Sequence, residues 1–520
     1  MTSAKTTSTG RIAGNTFALF VRQIVILGIN LYMIRVLLQT LGVEDYATYA
    51  VVYSLIMMTS FLWGSIQTIT QRFFAFSIGA GNLEEARACY DTNILICIAA
   101  AIFTWIALET AGFWFVTEKM NVAPDRLDAA ILMFRAYFVF ALLKMFSTFF
   151  AAVIMAHEEM RIFAVISVLE AVLRLGAALA LTMTPYDKLV TFGALFSAIE
   201  VLICLIFAIT VMRRYKECSF RVPRLNKAML LAMLRFSGWT IFGQVTTISR
   251  NQAITILINQ AFNPATVAAR ALAVSVGAQV LMFSNNFSLA LNAPITKAWA
   301  AEKYDEMYGL IYFGSKIAFY LVWALTLPII ATLPGILTLW LGEYPAETVI
   351  FTRLALLENA IVALAFPLMV AVRAAGDMRS YELLLGSMQI MVLAISWILI
   401  LLGYPAVSVY IVAIVINILM FGARLVIASQ KTGLPIRRFS KEVLIPVGKV
   451  VVFSSLLAIS ILWYVPMAES FSLSPMSIAA VLTLYLAPSF IAFRFGLNSD
   501  QRVAFFGLLS RRFGKPEQVT

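Results

Sequence analysis

The sequence predicts an all-α polytopic membrane protein, and three observations predict it. Of 520 residues, 61% are hydrophobic and 13% charged, with a mean hydropathy of +0.89. A soluble domain carries about 25% charged residues. Apolar stretches recur, each near the roughly 20 residues that carry a helix across a bilayer. They exceed the ~10 residues of a barrel strand and lack its alternation. Finally, the loops between them alternate between rich and poor in Lys and Arg along the whole chain.

Fourteen spans are expected. The first, 12–38, follows a polar Ser/Thr-rich tail. It is too long for a signal-peptide core and has no small-residue cleavage site, so it is expected to be retained. Spans 47–71, 92–117, 130–155, 162–183 and 189–212 complete a first group of six. Spans 234–261, 266–293, 308–333, 349–372, 381–402 and 406–427 form a second, and 443–465 and 474–495 stand apart. Pro294, Pro328, Pro334, Pro367, Pro446 and Pro488 fall in or beside the later spans and predict kinks.

The loops fix an expected orientation. Even-numbered loops, both tails and their flanks hold 26 Lys and Arg, against four on the other side: Lys119, Arg126, Lys188 and Arg353. The positive-inside rule then places both termini in the cytoplasm. The net charge of +12 is therefore topogenic and does not imply nucleic acid. The densest run, Arg213–Arg235, reads as a linker between halves whose basic residues can also rest on anionic lipid. The four cysteines show no CxxC or metal spacing, and no metal site is expected. The single histidine, His157, reads as a solvated loop residue.

The chain repeats itself weakly. Gln71-Arg72-Phe73-Phe74, followed by Glu84, Glu85 and Arg87, corresponds to Pro294-Ile295-Thr296-Lys297, followed by Lys303, Asp305 and Glu306. Glu159-Met160-Arg161 corresponds to Asp377-Met378-Arg379, 218 residues later. Six spans separate the copies, so they share one orientation, as in parallel repeats of some transporters. The expected organisation is an N-terminal lobe 1–212, a basic connector 213–235, a C-terminal lobe 236–430, and residues 431–520 with two further helices and a tail.

Charges inside the spans carry the functional signal. Nine basic residues lie there: Arg22, Arg35, Arg135, Lys144, Arg174, Arg250, Arg270, Lys316 and Lys449. Charges in a bilayer are costly and face a bundle interior or a wet cavity. A surplus of cations points to a path that receives an anion. Arg35, Arg135, Arg270 and Lys449 lie near span ends, where long side chains can also snorkel. Arg22, Lys144, Arg174, Arg250, Arg270 and Lys316 are the anion-binding candidates. Glu170 lies four residues before Arg174 and is expected to pair with it. Glu170, Glu200 and Glu358 are candidates either for cross-helix pairing or for carrying a coupling proton. An arginine fork can bond two oxygens of a diphosphate at once. Gln244, Thr247, Arg250, Asn251 and Gln252, with Asn285 and Asn286, offer amides for sugars or for helix–helix bonds. No Walker loop, dinucleotide turn or HExxH occurs, so neither ATP use nor a cofactor is expected.

The chain resembles the Wzx-like polysaccharide flippases of the multidrug/oligosaccharidyl-lipid/polysaccharide exporter superfamily. The resemblance rests on Leu41-Gly42-Val43-Glu44-Asp45-Tyr46-Ala47-Thr48-Tyr49, on Gln71-Arg72-Phe73-Phe74 with Gly79-Ala80-Gly81-Asn82, on Leu339-Trp340-Leu341-Gly342, and on Ala375-Gly376-Asp377-Met378-Arg379. It implies two six-helix lobes plus two helices, a cationic central cavity and alternating access. The implied substrate is a polyprenyl-diphosphate-linked oligosaccharide moved outward across a bacterial inner membrane for surface polysaccharide such as O-antigen or exopolysaccharide. Membrane lipids, a proton or sodium ion, and other membrane proteins of that pathway are the further expected partners. A multidrug exporter of the same superfamily is the alternative. A glycan polymerase or glycosyltransferase is a third reading, disfavoured because no large outer loop carries a catalytic constellation.

Overall fold

The computed structural model describes residues 3–79, 81–157, 159–218, 222–375, 378–464 and 475–497. These form helices joined by short turns, with no strand among the described residues. Helix α1, Ser3–Met57, breaks at Gly42 (φ 77°, ψ 176°) into two arms. Such a φ favours glycine, which has no Cβ to clash. After a turn at Met58 and Thr59, α2 runs over Ser60–Gly79. The expected span 47–71 is therefore divided between the second arm of α1 and the start of α2.

Asn82 caps α3, Leu83–Glu118, by accepting from the Glu85 N–H. Next come α4, Pro124–Ala156, and α5, Met160–Ala180. Asp187 caps α6, Lys188–Arg214, and Asn226 caps α7, Lys227–Ala261. The chain continues through α8, Pro264–Ala300, and α9, Tyr304–Leu341. Then follow α10, Glu347–Leu364, α11, Phe366–Ala374, and α12, Met378–Leu401. The last are α13, Val407–Thr432, α14, Ile436–Tyr464, and α15, Pro475–Ile491. Pro367 separates α10 from α11 within one expected span. Pro294, Pro328, Pro334 and Pro488 instead lie inside helices that run through them. Asp377 of the repeat and the tail beyond Leu497 lie outside the described residues.

Among the described residues, twelve helical segments are long and apolar enough to cross a membrane. Helices α2 and α7 are not among these twelve, although both were expected as spans. Gln67, Gln71 and Arg72 dilute α2, and Gln244, Arg250 and Asn251 dilute α7.

The chain divides into two compact units. One is Met1–Ala271 with Gln389–Leu402; the other is Leu272–Met388 with Gly403–Thr520. The first unit thus takes in α7, which lies beyond the connector expected from sequence. There α4 packs along α6, α1 against α5, and α2 against α3, α4 and α7. Lipid-immersed helices associate through packing and interhelical hydrogen bonds. Gly193 serves the α4–α6 contact, since a Cβ there would lie 3.2 Å from Met133 Cγ. Rings of Tyr49, Tyr137, Phe192 and Phe196 fill the space around it, with Phe192 and Phe196 4.3 Å apart. In the second unit α9 packs on α10, α14 and α15. Trp323 Nε1 donates to Ser454 Oγ at 2.9 Å, and Gly496 leaves room for the Tyr320 hydroxyl.

Two ionic clasps close opposite ends of the first unit. Arg126 forks onto Asp45 (Nε–Oδ1 2.9 Å) and also bonds Asp187. Burial pushes the Asp187 carboxyl up, but the Arg126 bond and the Val190 N–H outweigh it and hold it below its ordinary value. At the other end His157 is not the solvated residue expected. It caps α4, stacks on Tyr215 at 3.7 Å, and sets Nε2 2.8 Å from Glu217 Oε1. Glu159 accepts from Arg214 Nε and from Tyr215 Oη, each at 2.9 Å. Burial raises the Glu159 carboxyl, and these bonds more than reverse it. The sequence could not show this, because His157 and Glu217 are brought together only by the packing of the α4 and α6 ends.

Candidate functional site

Polar side chains of the first unit gather in two places. The first is a closed charge cluster between α4, α5 and α6. Lys144 Nζ lies 2.9 Å from Glu170 Oε1 and 3.4 Å from Glu200 Oε2. Arg174 Nη2 lies 2.6 Å from Glu170 Oε1 and 3.1 Å from Glu200 Oε2. Two cations thus share two carboxylates. The Glu170–Arg174 pair forms along α5, one helical turn apart. Glu200, with 0% of its side chain exposed, reaches both cations from α6. Its Oε1 is buried without a hydrogen bond. Phe140 and Phe196 place their faces 5.4 Å from the Arg174 guanidinium. The arrangement pairs Lys144 and Arg174 with carboxylates inside the protein.

The second place ties α7 to the start of α8. Arg270, 5% exposed, donates from Nε to Thr255 Oγ1 and from Nη2 to the Asn251 carbonyl, each at 3.1 Å. Arg250 donates to Asn251 Oδ1 from Nη2 at 2.7 Å. Arg270 and Asn251 are therefore engaged in helix–helix bonding. Arg250 is only partly buried and retains accessible guanidinium surface.

The remaining polar groups are Arg22 on α1 and two glutamines on α2. The guanidinium of Arg22, partly buried, lies 4.8 Å over the Phe163 ring, and its Nη2 meets Gln23 Oε1 at 3.4 Å. Among the described residues it meets no carboxylate. On α2, Gln67 and Gln71 both direct their amide nitrogens at Met155 Sδ, at 3.7 and 2.9 Å. From the sequence, Gln71 stood out only within the Gln71-Arg72-Phe73-Phe74 motif, and Gln67 did not stand out at all. Their i,i+4 spacing in a helix without acidic residues was the available signal.

Other candidates stand apart. Lys316 is fully buried in the second unit, in electrostatic reach of Glu442. Glu358 accepts from Asn417 Nδ2 at 2.9 Å in the same unit. Arg135 pairs with Glu109 and stacks over Phe113. Glu109 and Glu382 are further acids within the expected spans, beyond Glu170, Glu200 and Glu358. Lys449 is exposed and Asn285 is exposed, while the Asn286 side chain lies outside the described residues. The four cysteines are buried and unbridged, and no group of residues that could hold a metal occurs among the described residues.

No family model matches the sequence, and no curated protein matches it. Solved structures do. One is an inward-facing multidrug resistance MATE family transporter of the MOP superfamily, with TM-score 0.63 and 15% identity, covering 79% of this chain and 98% of that one. An outward-facing transporter of the same family gives TM-score 0.58 and 13% identity over 81% of this chain and 95% of that one. A MOP superfamily transporter from Pyrococcus furiosus, whose binding pocket has reverse polarity, gives TM-score 0.60 and 14% identity over 81% and 95%. The chain thus has the fold of the MATE family membrane transporters.

Proposed function

We propose that this protein moves a polyprenyl-diphosphate-linked oligosaccharide from the inner to the outer leaflet of a bacterial plasma membrane, supplying surface polysaccharide. The observation that carries the reading is the charge imbalance within the spans. The nine basic side chains singled out there face five carboxylates in the same spans, Glu109, Glu170, Glu200, Glu358 and Glu382. Five carboxylates cannot neutralise nine cations, and a bilayer tolerates a surplus only where something offsets it. A diphosphate headgroup supplies that charge on passage. Arg22 and Arg250 are its proposed first contacts, since both retain accessible guanidinium surface. Outward movement of negative charge is favoured by an inside-negative potential at about 2.3 kcal/mol per charge per 100 mV. Glu200 is the proposed site of proton coupling: protonation would leave the charge cluster with one net positive charge and loosen α6 from α4 and α5. The parallel repeat and the cytoplasmic placement of both termini belong to the same proposal.

The neighbours that carry this fold include multidrug resistance transporters, so export of cationic drugs is the competing reading. Purified protein in proteoliposomes separates them. The expected result is that a lectin outside captures oligosaccharide loaded on the inner leaflet, and that Arg22→Glu with Arg250→Glu stops capture. Efflux of a cationic dye without lectin capture would establish the drug exporter instead. Glycan capture at the wild-type rate by the double variant would refute the anion path.

A further inference from the structure

Resting on that reading, we propose that Gln67 and Gln71 of α2, with Gln244 of α7 and Met155 of α4, form the subsite that recognises the neutral sugar of the substrate. Gly64, Gln67, Thr68 and Gln71 are spaced i, i+3, i+4 and i+7, so they share one face of α2. Gln244 seats its Oε1 over Gly64, where a Cβ would come within 3.2 Å of it. Three side-chain amides therefore lie along one face of α2, where α7 and the end of α4 pack against it.

What sets this face apart is the quality of its partners. On another face of α2, Thr70 is fully buried and donates to Asn93 Oδ1 at 3.1 Å, and Asn93 in turn donates to the Cys89 carbonyl at 2.9 Å. Those groups are satisfied by oxygen. Gln67 and Gln71 find only the Met155 sulfur, a weak acceptor. No polar partner for Gln244 occurs among the described residues, and none of the three amide oxygens is sealed from solvent. Thr68 closes its own hydroxyl onto the Gly64 carbonyl at 3.0 Å and leaves the amides as the active donors and acceptors.

The chemistry of the stripe selects its ligand. Helix α2 has no Asp or Glu, so this face offers no carboxylate to pair with a cationic drug. An amide carries one acceptor and two donors side by side. Adjacent sugar hydroxyls, each both donor and acceptor, complement that pattern. The Met155 thioether supplies an apolar surface for the sugar C–H face. A site built to bond hydroxyls discriminates strongly against a ligand lacking them, because its polar groups are then left unpaired.

The test uses the full chain in detergent micelles and two probes: a short-chain prenyl diphosphate, and the same molecule carrying a neutral disaccharide. The wild type is expected to bind the disaccharide probe about tenfold more tightly, as two hydrogen bonds allow. Gln67→Leu with Gln71→Leu is expected to erase that difference and leave affinity for the bare diphosphate unchanged, which also reports an intact fold. Should the leucine pair fail to fold, Gln67→Asn with Gln71→Asn, which withdraws each amide by one methylene, is expected to erase it as well. A preference that survives in either folded variant, or is absent from the wild type, overturns the subsite alone. Binding of neither probe to the wild type overturns the flippase reading and the subsite together.

Discussion

The charge cluster of α4, α5 and α6 and the glutamine stripe of α2 lie in the same unit, yet they solve the problem of polarity in a membrane in opposite ways. Lys144, Glu170, Arg174 and Glu200 close on one another through four contacts between 2.6 and 3.4 Å. Gln67 and Gln71 lean on a sulfur atom and leave their oxygens open. A polar group that the protein itself satisfies holds helices together; one that it leaves poorly satisfied is available to a ligand. The charges of α4, α5 and α6 are already paired with one another, whereas the α2 amides are not.

The sharpest break in this comparison is Glu200→Ala. It leaves Arg174 and Lys144 sharing one carboxylate in a buried site, and removing one member of a buried ion cluster typically costs about 3–5 kcal/mol. Denaturant unfolding in micelles measures it. Gln67→Leu with Gln71→Leu, by contrast, is expected to shift stability by less than about 1 kcal/mol, because the weak sulfur contacts are all that is lost. Equal costs at the two places would mean that the stripe is structural too.

The Arg126 clasp gives a pH-dependent check. The Asp187 carboxyl is held below its ordinary value, so its contribution is present in full above the unfolded value of about 3.9 and is lost as pH falls through the lower folded value. Cleavage of the adjoining loops by pepsin is expected to be slow at pH 5 and to rise only below about pH 4. Arg126→Gln is expected to remove that threshold. Cleavage that rises already between pH 6 and 5 would assign the clasp to other groups.

The smallest expected effect is that of Gly64→Ala. The new methyl meets only the flexible end of Gln244, so stability is expected to change by about 0.5 kcal/mol or less. The preference for the disaccharide probe should nonetheless fall, since Gln244 must move from its seat. An unchanged preference would remove Gln244 from the stripe while leaving Gln67 and Gln71 in place.

Much of this was legible in the chain and some was not. Apolar length was enough to show an all-helical chain and to place most of its helices, because it is a local property. The Glu170–Arg174 pair was legible for the same reason, being one turn apart on one helix. The division of the expected span 47–71 escaped because the Met58–Thr59 turn lies within otherwise apolar sequence. Arg270 looked like a channel cation, and only its approach to Asn251 and Thr255 revealed a helix tie.

By itself the sequence determined an all-helical membrane chain, the alternation of its loops between rich and poor in Lys and Arg, and the surplus of cations within its spans. Tertiary structure decided which of those cations are spent: Glu200 reaches Lys144 across 56 residues and Arg174 across 26. The physical reason is range. Helix formation and bilayer partitioning act over one or two turns of chain, whereas charge pairing and amide satisfaction depend on which faces of distant helices meet.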